Sequence, residues 1–319
     1  MKIVEILDRA KDTLISYEII PPKRGGSIAQ IIGIVEDLIE FEPPFIDMTS
    51  HPAQVQYEEM PDGTWRRYVK RKRPGTLGLC AAIRERFGVE TVPHLLCRGF
   101  TREETEDALI ELHYLGIGNV MALRGDDIGF DKPILHNRSR NEYAISLVRQ
   151  ISDMNQGHYL EELIDAAPTD FCIGIAGYPE KHFQSPNRTW DLLNMKRKVD
   201  AGAHYVTTQM FFDNAVFLDF EARCRAEGIT VPIIPGLKVI TRKKQLQILP
   251  SRFFVEVPES LAAEIEAATN DEQVAEIGIA WAIRQSEELI NAGVPCVHFY
   301  IMQTAKHVKK VVGALRKTA

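Results

Sequence analysis

Short apolar runs rich in Val, Ile, Phe and Tyr alternate with amphipathic stretches along the whole chain. The runs fall at 14–20, 45–49, 91–97, 119–123, 171–177, 205–211, 231–235 and 297–302. Several are apolar almost without a break, as parallel strands covered on both faces are. Between them apolar residues return at helical spacing, with marked ends. Thr101-Arg-Glu-Glu104 has the spacing of a capping box, and Gly116 stands where that helix stops. Asn214 opens a helix that Gly228 closes, and another runs from Asp271 to Asn291 and ends at Gly293. Strand then helix, eight times over without a Pro/Ser-rich linker, predicts an α/β protein built as one (β/α)8 TIM barrel, a single domain over 1–319. A doubly wound sheet is the alternative. Its G-x-G-x-x-G turn after a strand is missing, because Gly116-Ile-Gly118 precedes a strand and lacks the third glycine. Two long segments, 52–74 and 127–141, follow the second and fourth strands on the face where a barrel carries its active site.

Composition narrows the function. With 38 Lys and Arg against 44 Asp and Glu the net charge is −6, which argues against a dedicated nucleic-acid binder. No apolar run reaches the ~18 residues of a membrane helix. Glu5 and Asp8 interrupt the apolar N-terminal stretch, so it does not read as a secretory signal. The five cysteines are scattered and odd in number, which fits a reducing cytoplasm better than a disulfide framework.

A barrel gathers its chemistry at the carboxyl ends of its strands. Those ends carry Glu18, Thr49, His94, Arg124-Gly-Asp126, Tyr178-Pro-Glu180, Gln209, Pro235-Gly236 and Tyr300. Glu18 sits in an otherwise apolar strand, where burial raises a carboxyl pKa toward neutrality and makes it a proton donor at pH 7. An ion pair with a neighbouring Lys or Arg is an equal reading of the same residue. His94 and Cys97 lie three apart on one strand and face opposite ways, so they cannot share a metal, and no metal site is expected. His94 reads as a core histidine or as a neutral donor to a cofactor. The glycines of Cys172-Ile-Gly-Ile-Ala-Gly-Tyr178 mark either tight packing or the close approach of a flat ligand. On the next helix Asp191, Asn194, Arg197 and Lys198 share roughly a third of the circumference at 3.6 residues per turn. That face is suited to a ribose and a diphosphate, or is simply solvated. The run 66–73, Arg-Arg-Tyr-Val-Lys-Arg-Lys-Arg, reads first as a solvated basic loop and second as a docking site for anions.

Taken together, the motifs resemble the methylenetetrahydrofolate reductase family, over nearly the whole chain. The resemblance rests on Tyr17-Glu-Ile-Ile-Pro-Pro22, Pro93-His-Leu-Leu-Cys97, Val120-Met-Ala-Leu-Arg-Gly-Asp126, Ala176-Gly-Tyr-Pro-Glu-Lys-His182, Leu192-Leu-Asn-Met-Lys-Arg-Lys-Val-Asp-Ala-Gly202 and Thr208-Gln-Met-Phe-Phe-Asp213, in order and spacing. It implies a barrel that binds FAD and reduces 5,10-methylenetetrahydrofolate to 5-methyltetrahydrofolate for methionine synthesis, by ping-pong hydride transfer from NADH, NADPH or a protein carrier. It also implies a homo-oligomer. Within it Glu18 matches the general acid, and Asp126 matches the carboxylate beside flavin and pterin. Thr49, His94, Arg124, Gly125, Asp126, Tyr178, His182, Asp191, Asn194, Arg197 and Lys198 match cofactor contacts. Gln209 and Gln245, with Glu18 and Asp126, match groups that hold the folate. Three positions depart from the family: Thr49-Ser-His-Pro52 at the flavin edge, Thr304 where an arginine that contacts folate is common, and Leu249 in place of an aromatic. The basic run then reads as a dock for the acidic polyglutamate tail of folate. Two further readings keep the barrel: a pterin-binding methyltransferase or lyase without flavin, and a non-catalytic assembly subunit.

Overall fold

The computed structural model describes residues 1–126, 132–134, 136 and 138–318. Eight parallel strands close into a barrel: β1 (Leu14–Ile19), β2 (Phe45–Met48), β5 (Glu90–Leu96), β6 (Asn119–Leu123), β7 (Cys172–Gly177), β8 (Tyr205–Met210), β9 (Ile233–Leu237) and β10 (Cys296–Met302). Around the ring they run β1-β10-β9-β8-β7-β6-β5-β2. The remaining two strands, β3 (Gln54–Glu59) and β4 (Trp65–Lys70), form a separate antiparallel hairpin. The predicted TIM barrel is therefore present with all eight of its predicted strands. Segment 52–74, expected as a loop, is instead this hairpin, and it carries the basic run.

Strand alternation divides the side chains between two cores. Tyr17, Ile19, Ile46 and Met48 face outward, where they pack with the surrounding helices. Phe45, Val92, Met121, Cys172, Tyr205, Ile234 and Cys296 fill the barrel interior. The helix Ile3–Arg9 plugs the amino end of the ring, adding Ile3 and Leu7 to that interior cluster. Each such aliphatic side chain stabilises the fold by about 1.5–3 kcal/mol. With one end plugged and the middle filled, the carboxyl end is left for polar side chains.

Local signals behave as the sequence indicates. Thr101 Oγ1 accepts from the Glu104 amide at 3.1 Å while the Glu104 carboxylate accepts from the Thr101 amide at 2.8 Å. The helix Asn214–Ala226 is capped one residue earlier than expected, by Asp213, which accepts from the Ala215 amide at 2.9 Å. The glycines of β7 are explained by packing: a Cβ at Gly174 would lie 2.4 Å from the Tyr205 ring, and one at Gly177 would lie 2.7 Å from Val206.

After β9 the chain adds two short helices, Gln245–Phe253 and Glu259–Ala267. They form a third cluster with the long helix Asp271–Asn291. There Gly278 meets backbone, for a Cβ would stand 1.9 Å from the Ile240 carbonyl oxygen. Gly278→Ala is expected to cost about 1–3 kcal/mol through overpacking, more than the ~1 kcal/mol gained in helix propensity. A thermal melt should show a fall of several degrees in Tm; an unchanged or raised Tm would contradict this packing.

Candidate active site

Three side chains from adjoining strands meet at the carboxyl end of the barrel. In strand register Glu18 lies beside Asp47 on one side and Tyr300 on the other. His94, on β5, places its Nε2 3.2 Å from Asp47 Oδ2 and 3.7 Å from Glu18 Oε2. The Glu18 side chain is only 14% exposed. Burial pushes its pKa up to about 7; the charges of His94 and Lys238 pull it down, and Asp47 pushes it further up. Burial opposes charging His94, but the hydrogen bond to Asp47 and the charge of Glu18 outweigh it and raise the pKa. Lys238, just past β9, donates to the Tyr300 carbonyl at 3.2 Å, and burial draws its pKa down to about 8. The Tyr300 hydroxyl donates to the Thr208 carbonyl at 2.6 Å. One layer deeper, Ser16 Oγ and His298 Nδ1 lie 2.8 Å apart, and burial keeps His298 neutral by lowering its pKa to about 4.

A second group lies past β6 and β7. Asp191 accepts from the His182 amide at 3.0 Å and from the Ser185 hydroxyl at 2.7 Å, so it pins the loop after β7 to the helix Arg188–Asp200. Lys198, on the same helix, donates to the Ala176 carbonyl at 3.0 Å; burial lowers its pKa to about 8 against the opposing charge of Asp191. The His182 ring meets Tyr178 edge-on at 4.6 Å. Arg124 donates to Gln184 Oε1 and lies 4.9 Å over the Tyr143 ring, with its Nε buried and unpartnered. Gly125 has φ +85°, a left-handed conformation that favours glycine and turns the chain from Arg124 to Asp126. Asp126 is exposed, and its charge reaches both His51 and Tyr178.

Part of the predicted set is linked across the mouth through near neighbours. Glu18 neighbours His94 and Tyr300, Tyr300 neighbours Tyr178, Tyr178 neighbours Asp126 and Asp191, and His51 neighbours both Asp126 and His94. Thr49 enters through its hydroxyl, 3.0 Å from His51 Nε2. The departure at Ser50-His51 thus turns a histidine back onto Thr49. Gln209 stands at the end of β8, where its Oε1 accepts from the Met210 amide at 2.9 Å. Asn194 and Arg197 bond each other at 3.2 Å on a more exposed part of their helix, with Arg197 5.9 Å over Trp190.

Other predicted positions are occupied differently. Gln245 Oε1 accepts from the amides of Thr241 and Arg242 at 2.8 and 2.9 Å, so this oxygen caps a turn. Leu249 is 2% exposed and belongs to the third core cluster. Thr304 Oγ1 accepts from the Lys306 amide at 3.3 Å, just before the last helix. In the basic run, Arg71 donates to the His51 carbonyl at 2.8 Å and to Ser50 Oγ at 3.2 Å, and Arg73 donates to the Pro21 carbonyl. Both arginines therefore brace the hairpin against the barrel. Part of segment 127–141 lies outside the described residues.

Residues 2–316 match the methylenetetrahydrofolate reductase family model. The chain belongs to this family. It is 30% identical over 294 residues to 5,10-methylenetetrahydrofolate reductase of Salmonella typhimurium, an alignment covering 92% of this chain and 87% of that one. It is 30% identical over 302 residues to methylenetetrahydrofolate reductase 1 of Schizosaccharomyces pombe and 28% over 319 residues to a probable NADPH-dependent relative from Caenorhabditis elegans. These alignments cover 94% and 98% of this chain but only 45% and 43% of the two relatives, so the chain spans less than half their length. A solved structure of the same fold, an uncharacterized Clostridium thermocellum protein that binds two copies of 5-methyl-5,6,7,8-tetrahydrofolic acid, matches with a TM-score of 0.62 at 12% identity over 98% of each chain.

Sequence reasoning missed Asp47 and Lys238. The signal for Asp47 was the one that exposed Glu18: an acid inside an apolar strand, Phe45-Ile-Asp-Met48. Lys238 gave no comparable signal, because a cation one residue past a strand reads as solvated. Among the described residues no helix is long and apolar enough to cross a membrane.

Proposed function

We propose that this chain reduces 5,10-methylenetetrahydrofolate to 5-methyltetrahydrofolate, with FAD as resident cofactor and NADH or NADPH as donor. The observation that carries the reading is Glu18: a carboxyl held near neutrality by burial at the barrel mouth, where a substrate amine could reach it. The names of the relatives support the folate as substrate, and those of two plant or animal relatives support a nicotinamide donor.

The donor set past β6 and β7 fits a flavin dinucleotide. Lys198 holds a half-buried ammonium with a single carbonyl acceptor, and the Arg124 Nε is buried without a partner. Two such cations in one arc suit a diphosphate. Asp191, Asn194 and Arg197 would hold the ribose and phosphates, with His182 and Tyr178 alongside the flat rings. His94, Thr49 and Gly125 would line the flavin edge. Bound there, FAD supplies two-electron hydride chemistry that no side chain offers.

The chain's own residues do the rest. Glu18 delivers its proton to N10 of the folate as the imidazolidine ring opens, and the substrate becomes an iminium cation. Asp126 sets a negative charge toward that cation. Gln209 orients the pterin through its amide, and the donor shares the same mouth in its turn. Asp126→Asn is expected to slow folate reduction roughly 10²-fold and to raise the flavin potential, by analogy with the loss of one preorganised electrostatic group. Potentiometry and rapid mixing test this; an unmoved potential together with an unmoved rate would refute it.

The reading as a whole is tested by purifying the chain with FAD, supplying NADH or NADPH, and assaying 5-methyltetrahydrofolate. Bound flavin with formation of that product is expected. A protein that holds no flavin and forms none would return the non-flavin pterin enzyme as the better account.

A further inference from the structure

Asp47 has no part in the chemistry above, yet it is among the most deeply buried charged side chains at the mouth, 1% exposed. Its Oδ2 faces His94 Nε2 at 3.2 Å, while its Oδ1 is buried with no partner. A buried carboxylate with one satisfied oxygen is costly unless a cation stands against it. The same His94 nitrogen lies 3.7 Å from Glu18 Oε2, so a single N–H is set between two carboxyl groups from neighbouring strands.

We propose that Asp47 is a positioning residue that keeps His94 charged beside Glu18, so that the imidazolium is the counter-ion for Glu18 once its proton has left. The proposal rests on the reading of Glu18 as the acid. In that step the Glu18 O–H bond breaks and the proton bonds to N10. The electron pair stays on Glu18 as a carboxylate, and the positive charge passes to the substrate. The new carboxylate then faces His94 from β5, Asp47 from β2, Lys238 past β9 and the neutral Tyr300 from β10. Asp47 itself also faces Tyr205 of β8 and the neutral His298 of β10. His94 acts on Glu18 more strongly than Asp47 does, so the Asp47–His94 pair as a unit favours the ionised acid.

The test begins with nitrogen-15 NMR of the wild-type holoprotein. His94 should titrate above the ordinary histidine value of 6.5, and titration below it would overturn the proposal without any variant. In Asp47→Asn, which keeps the shape and still offers an acceptor, the His94 midpoint should fall by roughly one pH unit or more. Folate reduction should slow roughly tenfold. Its alkaline limb should move to higher pH, because Glu18 has lost its cation, and folate reduction should lose more than reduction of the flavin by its donor. Equal loss in both half-reactions, or an unmoved limb with an unmoved His94, would overturn the role. If wild-type protein forms no methyl product, the functional reading fails on its own, and the His94 titration still judges the pair.

Discussion

Glu18→Gln should leave the flavin reducible by its donor and cut folate reduction by roughly 10²–10⁴-fold, the usual worth of a general acid. Glutamine is a close mimic of the protonated carboxyl, neutral and of the same size. Because burial lifts Glu18 to about 7, the neutral form is already well populated at pH 7, so the site should keep its shape. What is lost is the proton, since an amide has none to give N10. Anaerobic stopped-flow separates the two half-reactions. A comparable fall in both would mean that Glu18 holds the barrel mouth together and is not its acid.

Lys198→Met should weaken FAD binding roughly 10²-fold or more while leaving the apoprotein at least as stable as before. The ammonium is half-buried with one carbonyl acceptor, and desolvation has already drawn its pKa down to about 8. Burial costs this cation more than the charge of Asp191 returns, so an apolar side chain of similar length removes a burden there. Against a bound diphosphate the sign reverses, and loss of a desolvated charge partner costs about 2–5 kcal/mol. The same group gives a pH dependence. Lys198 is charged below about 8, so FAD affinity should decline as pH rises through that value. Equilibrium dialysis of FAD beside apoprotein melts tests both halves. A melting point that drops with unchanged affinity would make Lys198 a structural residue.

The barrel was legible because its strands are buried on both faces and therefore read as apolar runs, while the helices carry caps such as Thr101 and stops such as Gly116. Hairpin β3–β4 was not, since its two strands stand clear of the core and interleave exposed polar residues with Tyr57, Trp65 and Val69. The helices after β9 were obscured by Pro250 inside one and Pro258 at the start of the other. Glu18 announced itself by its apolar neighbours. Asp47 had the same credentials in a strand of four residues, too short for alternation to single it out. Gln245 is the reverse case: its oxygen caps a turn, and only the three-dimensional course of residues 241–245 reveals that.

Glu18 can act as the acid only if it holds its proton near neutral pH, and the most direct measurement is the single-turnover rate at which reduced holoprotein reacts with 5,10-methylenetetrahydrofolate across pH. The rate should fall as pH rises through about 7, following ionisation of Glu18. A rate that stays level from about pH 5.5 to about 8.5, or a Glu18 carboxyl that titrates in the ordinary range near 4.3, would contradict it.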